Sequence, residues 1–558
     1  MRLTKFVTLF TGLITLSSAA SAEHRSESQK APPSLVIAIS VDQFSSDLFS
    51  EYRSTFEGGL KRLAGGVVFP SGYQAHAATE TCPGHATIMT GTHPGRAGII
   101  ANNWIDLRVA REDKTVYCAE DERIAGTSFG AITAATQGPY IASAWHLLVP
   151  TLGERLKKTS TESRNVAVSG KDRSALMMGG NDVDAVYWWK RKGFDTLSNR
   201  EIAPPIMSLN DRIASYIDQA RGPYPVPAHC AARTSQIVVS DEQSVGTYDF
   251  RRPEGASRIF RGSPDFDKVT IQAAIALVDS MKLGQNAATD ILSVGLAATD
   301  YIGHAFGTGG LEMCIQMAEL DKNLNIFFNH LDEAGIDYIV MLTADHGGHD
   351  LPERLRLQGV PDAERIDPNL NARFVGQQVK DILEDSSDAQ YLHADSPFGD
   401  YYVSLDLPAE KRAQVKKLAM TMFTEHPQVE AVFDHDMLSA MPMPGAPVEE
   451  WTMAERTRAS FHPERSGDFI VLLKKAVTPI ASGGPGYVAT HGSPWDYDRQ
   501  VPILFWHRDL AHFEQPLSVK TVDIAPTLAA LIGVEIPEDE IDGQCLDIDG
   551  GTANSCGR

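Results

Sequence analysis

Positive charge is the scarcest resource of this chain. Fifty Lys and Arg stand against 72 Asp and Glu, a formal net charge of −22 over 558 residues. That balance repels nucleic acid at long range and excludes it as an expected partner. Long apolar runs are also missing. Past the N-terminus no charge-free stretch approaches the roughly 20 residues that a membrane helix needs. Cysteine occupies only six positions, and the chain has no internal repeat and no low-complexity tract. What remains is a long chain, 43% hydrophobic, with ample material for a large core.

The first residues read as a processing signal. Arg2 and Lys5 form a charged start, Phe6 to Leu16 an apolar stretch, and Ala20-Ser21-Ala22 an A-x-A cleavage site. The apolar stretch is too short to span a membrane. No Cys stands at the cleavage point, which argues against a lipid anchor there. The expectation is a signal peptide over 1–22, cut after Ala22, and a periplasmic or secreted protein without a membrane anchor. Cleavage removes Arg2 and Lys5 and no acidic residue, taking the formal charge from −22 to −24.

An exported chain permits disulfides. Cys545 and Cys556 close a short C-terminal loop and are the first expected pair. Cys118 and Cys230 are candidates for a bridge across an insertion. Cys314 reads as buried and free in an amphipathic helix, and Cys82 as a small apolar residue. Spacing alone does not fix connectivity.

Apolar, β-rich runs recur at Leu35 to Val41, Val166 to Ser169, Ile291 to Ala297, Tyr338 to Thr343, Phe469 to Leu473 and Ile503 to Trp506. Most are continuous rather than alternating, as in strands covered on both faces. Helical patterns lie between them, at Gly84 to Met89, Ser143 to Lys158, Thr270 to Met281, Leu311 to Glu333 and Asp523 to Leu531. The alternation predicts an α/β fold with a mostly parallel central sheet and helices on both faces. Tyr401 to Leu405 and Val432 to Phe433 suggest a second group of strands, antiparallel in character. Two stretches break the pattern: Gly179 to Pro264, rich in Gly, Pro, Arg and aromatics, and Leu351 to Pro397, polar and irregular. Both read as insertions forming a cap over the sheet edge, within one catalytic domain spanning 23–558.

Polar residues cluster at the ends of these runs. Asp42 ends the first strand. Alone it reads equally well as a helix cap. Asp345-His346-Gly347 follows a buried strand, and an acid–imidazole pair there is costly unless paired or metal-bound. Asp300 and His304 stand four apart, so on a helix they share a face and can grip one metal. His491 sits in Thr490-His491-Gly492. Thr81, in Thr81-Cys82-Pro83-Gly84-His85, opens a helical pattern, where free backbone N–H groups and the positive dipole end favour an anion. Lys171 and Arg173 follow a strand and offer a point charge and a fork to phosphate oxygens. Asn102 has an amide free to donate to an anionic oxygen. Each fragment is weak alone. Together they form the ligand inventory of two divalent cations, read as zinc, with a hydroxyl nucleophile between them.

The order Asp, Thr-x-Pro-x-His, Asn, Lys-x-Arg, Asp-x-x-x-His, Asp-His-Gly, His-Gly resembles the alkaline phosphatase superfamily. More narrowly it resembles the threonine-nucleophile bacterial alkaline phosphatases of the PafA or Sphingomonas type. The motifs run from Asp42 to His491, and Val522 to Thr527 resembles the closing helix of that superfamily. The resemblance implies one zinc on Asp300, His304 and His491. It implies a second on Asp42, Asp345, His346 and the Thr81 oxygen. It makes Thr81 the attacking group that becomes phosphothreonine, with Asn102, Lys171 and Arg173 on the nonbridging oxygens. The implied activity is alkaline phosphatase, a phosphoric monoester hydrolase acting on small phosphate monoesters; sequence leaves the oligomeric state open, with a monomer favoured.

Related nucleotide pyrophosphatase/phosphodiesterases share the Thr, the Asn and the zinc ligands but lack the Lys-x-Arg pair. A phosphodiesterase is therefore the first alternative, and an inert exported zinc- or phosphate-binding protein the second. The sulfatase signature, Cys- or Ser-x-Pro-x-Arg, is absent. His76, His85, His93, His349 and His393 lie near motifs and are expected to be structural or surface residues.

Overall fold

The computed structural model describes residues 31–124, 140–551 and 553–557. The signal-peptide expectation for 1–22 lies outside them. The centre of the molecule is a large twisted sheet. In chain order its strands are β1 (Leu35–Val41), β2 (Val67–Tyr73), β3 (Asn165–Ser169), β4 (Ala185–Lys190) and β5 (Gly193–Asp195). They continue with β6 (Asp290–Leu296), β7 (Tyr338–Thr343), β8 (Gln500–Trp506), β9 (Phe513–Glu514) and β10 (Val519–Lys520). The spatial order is β9-β2-β8-β7-β1-β6-β3-β4-β5, with β10 also on β2. The inner strands β7, β1, β6, β3 and β4 run parallel, whereas β8 is antiparallel to both β7 and β2, and β5 to β4.

Each strand of the middle forms because its residues feed two cores at once. In β1, Leu35, Ile37, Ile39 and Val41 point into one hydrophobic cluster, and Val36 and Ala38 into another. Both faces are dry, so the run is continuously apolar, and helices cover both faces as expected. The helix Asp265–Met281 and α4 (Leu311–Glu333) contribute to the first cluster, and the helix Ile524–Ile532 to the second.

A second, smaller sheet is antiparallel, in the order Leu392–His393, Gly399–Val403, Phe469–Leu473, Val429–Asp434. Phe469 to Leu473 belongs here. Its apolar run is continuous because Phe469, Val471 and Leu473 enter one cluster and Ile470 and Leu472 another. Of the 179–264 stretch, β4 and β5 pair onto the edge of the central sheet, and the rest carries the helix Pro204–Asp218 and the hairpin Ile237–Ser240/Gln243–Val245.

The disulfides correct part of the cysteine reading. Cys545 pairs with Cys556 as expected, but Cys118 joins Cys82, and Cys230 joins Cys314. The hairpin Asn103–Ile105/Thr115–Tyr117 folds the chain back, and Cys118 N–H donates to the Asn102 carbonyl at 3.0 Å. That return brings Cys118 within a Cα separation of 6.5 Å from Cys82, inside bridging range. Cys314, on the buried face of α4, is thereby bonded rather than free. No helix among the described residues is long and apolar enough to cross a membrane.

Candidate active site

The C-terminal ends of the parallel strands converge on one spot, where open α/β sheets place their ligands. Asp42 directly follows β1 and donates its N–H to the Leu296 carbonyl at 2.9 Å. Asp300 lies in the first turn of α3 (Ala298–Phe306), and His304 one turn later on the same face. Asp345 and His346 follow β7. Lys171 stands just before α2 (Asp172–Gly179), and Thr81 is the first residue of α1 (Thr81–Thr90). His491 comes from the loop ahead of β8.

Glycine lets α1 approach this edge. A Cβ on Gly84 would sit 2.0 Å from the Asp345 carbonyl oxygen, so only glycine permits the helix to touch the β7 turn. Gly492 is needed for a second reason: its φ of 111° is a conformation L side chains rarely adopt, and a Cβ there would meet the Phe398 ring at 3.0 Å.

The histidines are oriented by their far nitrogens. Nδ1 of His304 lies 2.8 Å from the Ala489 carbonyl, Nδ1 of His346 2.8 Å from that of Gly347, and Nδ1 of His491 2.8 Å from that of Thr79. Each backbone oxygen fixes the tautomer and turns Nε2 toward the carboxylates, the arrangement of metal-binding imidazoles. Nε2 of His304 and of His491 lie 3.2 and 3.3 Å from Asp300 Oδ1, and Nε2 of His346 lies 3.4 Å from Asp42 Oδ1 and 3.3 Å from Asp345 Oδ2.

The donor set fits metal. Asp42 Oδ1, Asp300 Oδ1, Asp345 Oδ2 and His346 Nε2 are buried without a hydrogen-bond partner, while Asp42 Oδ2 is met by Lys171 Nζ. Four such unsatisfied atoms facing one another would be expensive unless a cation satisfies them. Two compact ligand groups emerge. Asp42, Asp345 and His346 group as expected, whereas the other group is Asp300, His491 and His346, so His346 lies between the two and His304 reaches only Asp300.

Electrostatics reflect the same crowding. Burial, with Asp300 and Asp345 alongside, pushes the Asp42 carboxyl well above its usual range. Burial opposes the charge on Asp300 too, but Lys171, His304 and His491 outweigh it and hold that carboxyl well below the usual range. Burial drives His346 down to about 3, which keeps it a neutral ligand. Lys171 Nζ bridges Asp300 Oδ2 at 2.5 Å and Asp42 Oδ2 at 2.6 Å. Burial works against its charge, but the two carboxylates prevail and hold the ammonium above its ordinary value.

Thr81 Oγ1 is buried and within 3.4 Å of both Lys171 Nζ and Arg173 Nη2. Asn102 is locked beside it: its side-chain oxygen accepts from Cys82 N–H at 2.8 Å, and its own N–H donates to Glu80 Oε2 at 2.7 Å. The Asn102 amide is thus left to donate. Every residue singled out from sequence (Asp42, Thr81, Asn102, Lys171, Arg173, Asp300, His304, Asp345, His346, His491) comes to this one edge.

Sequence reasoning missed the supports. His85 is buried, with Nδ1 2.8 Å from the Thr81 carbonyl and 3.2 Å from Asp345 Oδ2, so it links the Thr81 turn to the Asp345 carboxylate. Its four-residue spacing from Thr81 was the available signal. Gln43, at φ 67°, donates its N–H to Asp345 Oδ1 at 3.2 Å. Tyr117 and Tyr140 both donate to Asp172, ahead of Arg173. No local pattern announces these long-range partners. Of the histidines expected to be structural or surface residues, His76, His93 and His349 are buried.

Residues 36–494 match the family model described as type I phosphodiesterase / nucleotide pyrophosphatase. The chain is 48% identical to alkaline phosphatase PhoK of Sphingomonas sp over 94% of its length and 93% of that protein's. It is 46% identical to alkaline phosphatase PhoD of Zymomonas mobilis, covering 94% and 89%. The fold superimposes on the crystal structure of alkaline phosphatase PafA with a TM-score of 0.80 at 24% identity, covering 94% of this chain and all of that one. The chain belongs to the type I phosphodiesterase/nucleotide pyrophosphatase family of the alkaline phosphatase superfamily, in its PafA/PhoK-type branch.

Proposed function

We propose that this protein is an exported, zinc-dependent alkaline phosphatase that hydrolyses phosphate monoesters through a phosphothreonine at Thr81. The observation that carries the reading is the meeting at Thr81 Oγ1 of two cations, Lys171 and Arg173, at 3.4 Å each, beside two groups of buried metal-ligand atoms. Asp300, His304 and His491 would hold one zinc ion and Asp42, Asp345, His346 and the Thr81 oxygen a second, and bound zinc would supply Lewis acidity to the transfer. Thr81, at the α1 N-terminus, attacks phosphorus in line. The phosphoryl oxygens rest against Lys171, Arg173 and the Asn102 amide. Water then releases phosphate from Thr81.

The Lys171 and Arg173 pair favours monoesters over diesters. A monoester presents an additional anionic oxygen, and two extra cations reward it. Relatives at 46% and 48% identity bear the name alkaline phosphatase, which supports the same choice. Three disulfides are in keeping with an oxidising compartment. The part of 179–264 beyond β5, together with 351–397, is read as the cap of one catalytic domain. The test compares turnover of an aryl phosphate monoester and the matching diester, before and after chelation. A higher rate on the monoester, abolished by chelation and restored by zinc, supports the reading. A diester preference overturns it.

A further inference from the structure

A pocket beside the candidate active site is lined by the chain neighbours of three site residues: Glu80 next to Thr81, Asn103 next to Asn102, and Gly492 next to His491. Its walls are largely apolar, with Trp104, Phe398 and Ile470 among them, and its volume is about 50 Å³. At about 10–15 Å³ for each water-sized group, it holds roughly three to five heavy atoms. That fits a short alcohol.

The charge of the lining has one sign. Glu80, Asp395 and Asp400 contribute carboxylates, and no Lys, Arg or His lines the pocket among the described residues. Glu80 is committed to the Asn102 N–H. Asp400 accepts from Gly467 N–H at 2.7 Å. Asp395 is exposed and accepts from the neutral Asn103 amide at 3.2 Å; partial desolvation pushes its carboxyl up, and among the described residues no cationic side chain pairs with it. The Phe398 ring, packed against Gly492, adds an aromatic wall on which a cation can rest. A phosphate resting against Lys171 and Arg173 would leave the alcohol end of the ester to carboxylates and aromatic carbon.

We propose that this pocket receives the leaving alcohol and favours short alcohols bearing a cationic amine, making 2-aminoethyl phosphates a preferred substrate class. The proposal rests on the phosphomonoesterase reading above. No new chemistry is involved: the ester oxygen leaves as the amino alcohol, and phosphate passes to Thr81 and then to water.

Three monoesters of equal length separate charge from shape: 2-aminoethyl phosphate, 2-hydroxyethyl phosphate and phosphoglycolate. Their kcat/KM is measured with the zinc-loaded enzyme and with Asp395→Asn, so that intrinsic leaving-group reactivity cancels in the ratio of variant to wild type. Loss of one rim charge should lower kcat/KM for the amine about two- to fivefold relative to the hydroxyl compound, and raise it for phosphoglycolate by a similar factor. Asp395→Ala removes the same charge and serves if the Asn variant fails to accumulate. An equal change on all three overturns the amine preference and leaves the phosphatase reading intact. Absence of turnover on all three and on an aryl monoester overturns both.

Discussion

Replacing Lys171 and Arg173 together by alanine probes the specificity argument most sharply. Lys171 Nζ lies 3.4 Å from Thr81 Oγ1 and is buried between Asp300 and Asp42 at 2.5 and 2.6 Å; Arg173 Nη2 lies 3.4 Å from the same hydroxyl. Each cation is placed to make a charge-assisted contact to phosphate, worth about 1.5–3 kcal/mol. Two such contacts total about 3–6 kcal/mol, or roughly two to four decades at about 1.4 kcal/mol per decade. A diester carries less nonbridging charge and should lose much less. The assay is kcat/KM of Lys171→Ala/Arg173→Ala on an aryl monoester and the matching diester, with bound zinc quantified in each preparation. Lys171 also neutralises Asp42 and Asp300, so a variant that keeps its metal is required for the comparison. If monoesterase and diesterase activities fall equally at full metal content, the pair does not discriminate charge and the reasoning fails.

Four further outcomes are expected. Elemental analysis should find two zinc ions per chain, and chelation should abolish turnover; active protein with one metal or none contradicts the ligand assignment. Gly84→Ala should lose about 1–3 kcal/mol of stability and much of its activity, read by denaturant unfolding and turnover, because its Cβ would lie 2.0 Å from the Asp345 carbonyl oxygen; unchanged values would mean that α1 does not touch the β7 turn. Cys118→Ala opens a bridge closing 36 residues and should cost up to about 4 kcal/mol in urea unfolding, with no loss where wild type is already reduced. His85→Ala should weaken zinc affinity, measured by competition with a chelator, about 10- to 100-fold through the freed Asp345, while His85→Gln recovers part of it; unchanged affinity removes His85 from the site.

Legibility in the sequence followed locality. The strands β1, β6 and β7 were readable because both faces are dry and the residues β-branched. β2 was not, since Val67–Tyr73 carries Pro70, Ser71 and Gly72 and sits toward the edge of the sheet. Phe469 to Leu473 had the right pattern in a different sheet, because burial on both faces says nothing about which neighbours do the burying. The candidate ligands were readable as acids and imidazoles, several at strand ends, in an order that resembles a known family. His346 between the two groups, and the linkage of His85 to Asp345, depend on how α1 leans on β7, and no spacing encodes that. The Cys82–Cys118 pair turned on the hairpin that returns Cys118 to Asn102, which composition cannot reveal.

The central claim is that Thr81 is the nucleophile. Zinc-loaded enzyme is mixed with an excess of phosphate monoester, quenched in acid, digested and mapped by mass spectrometry, with Thr81→Ala alongside. The account predicts phosphate on the threonine of the peptide containing Thr81, and none in the variant, whose turnover falls by several orders of magnitude with zinc retained. Phosphate on another residue, or near wild-type turnover in Thr81→Ala, would contradict it.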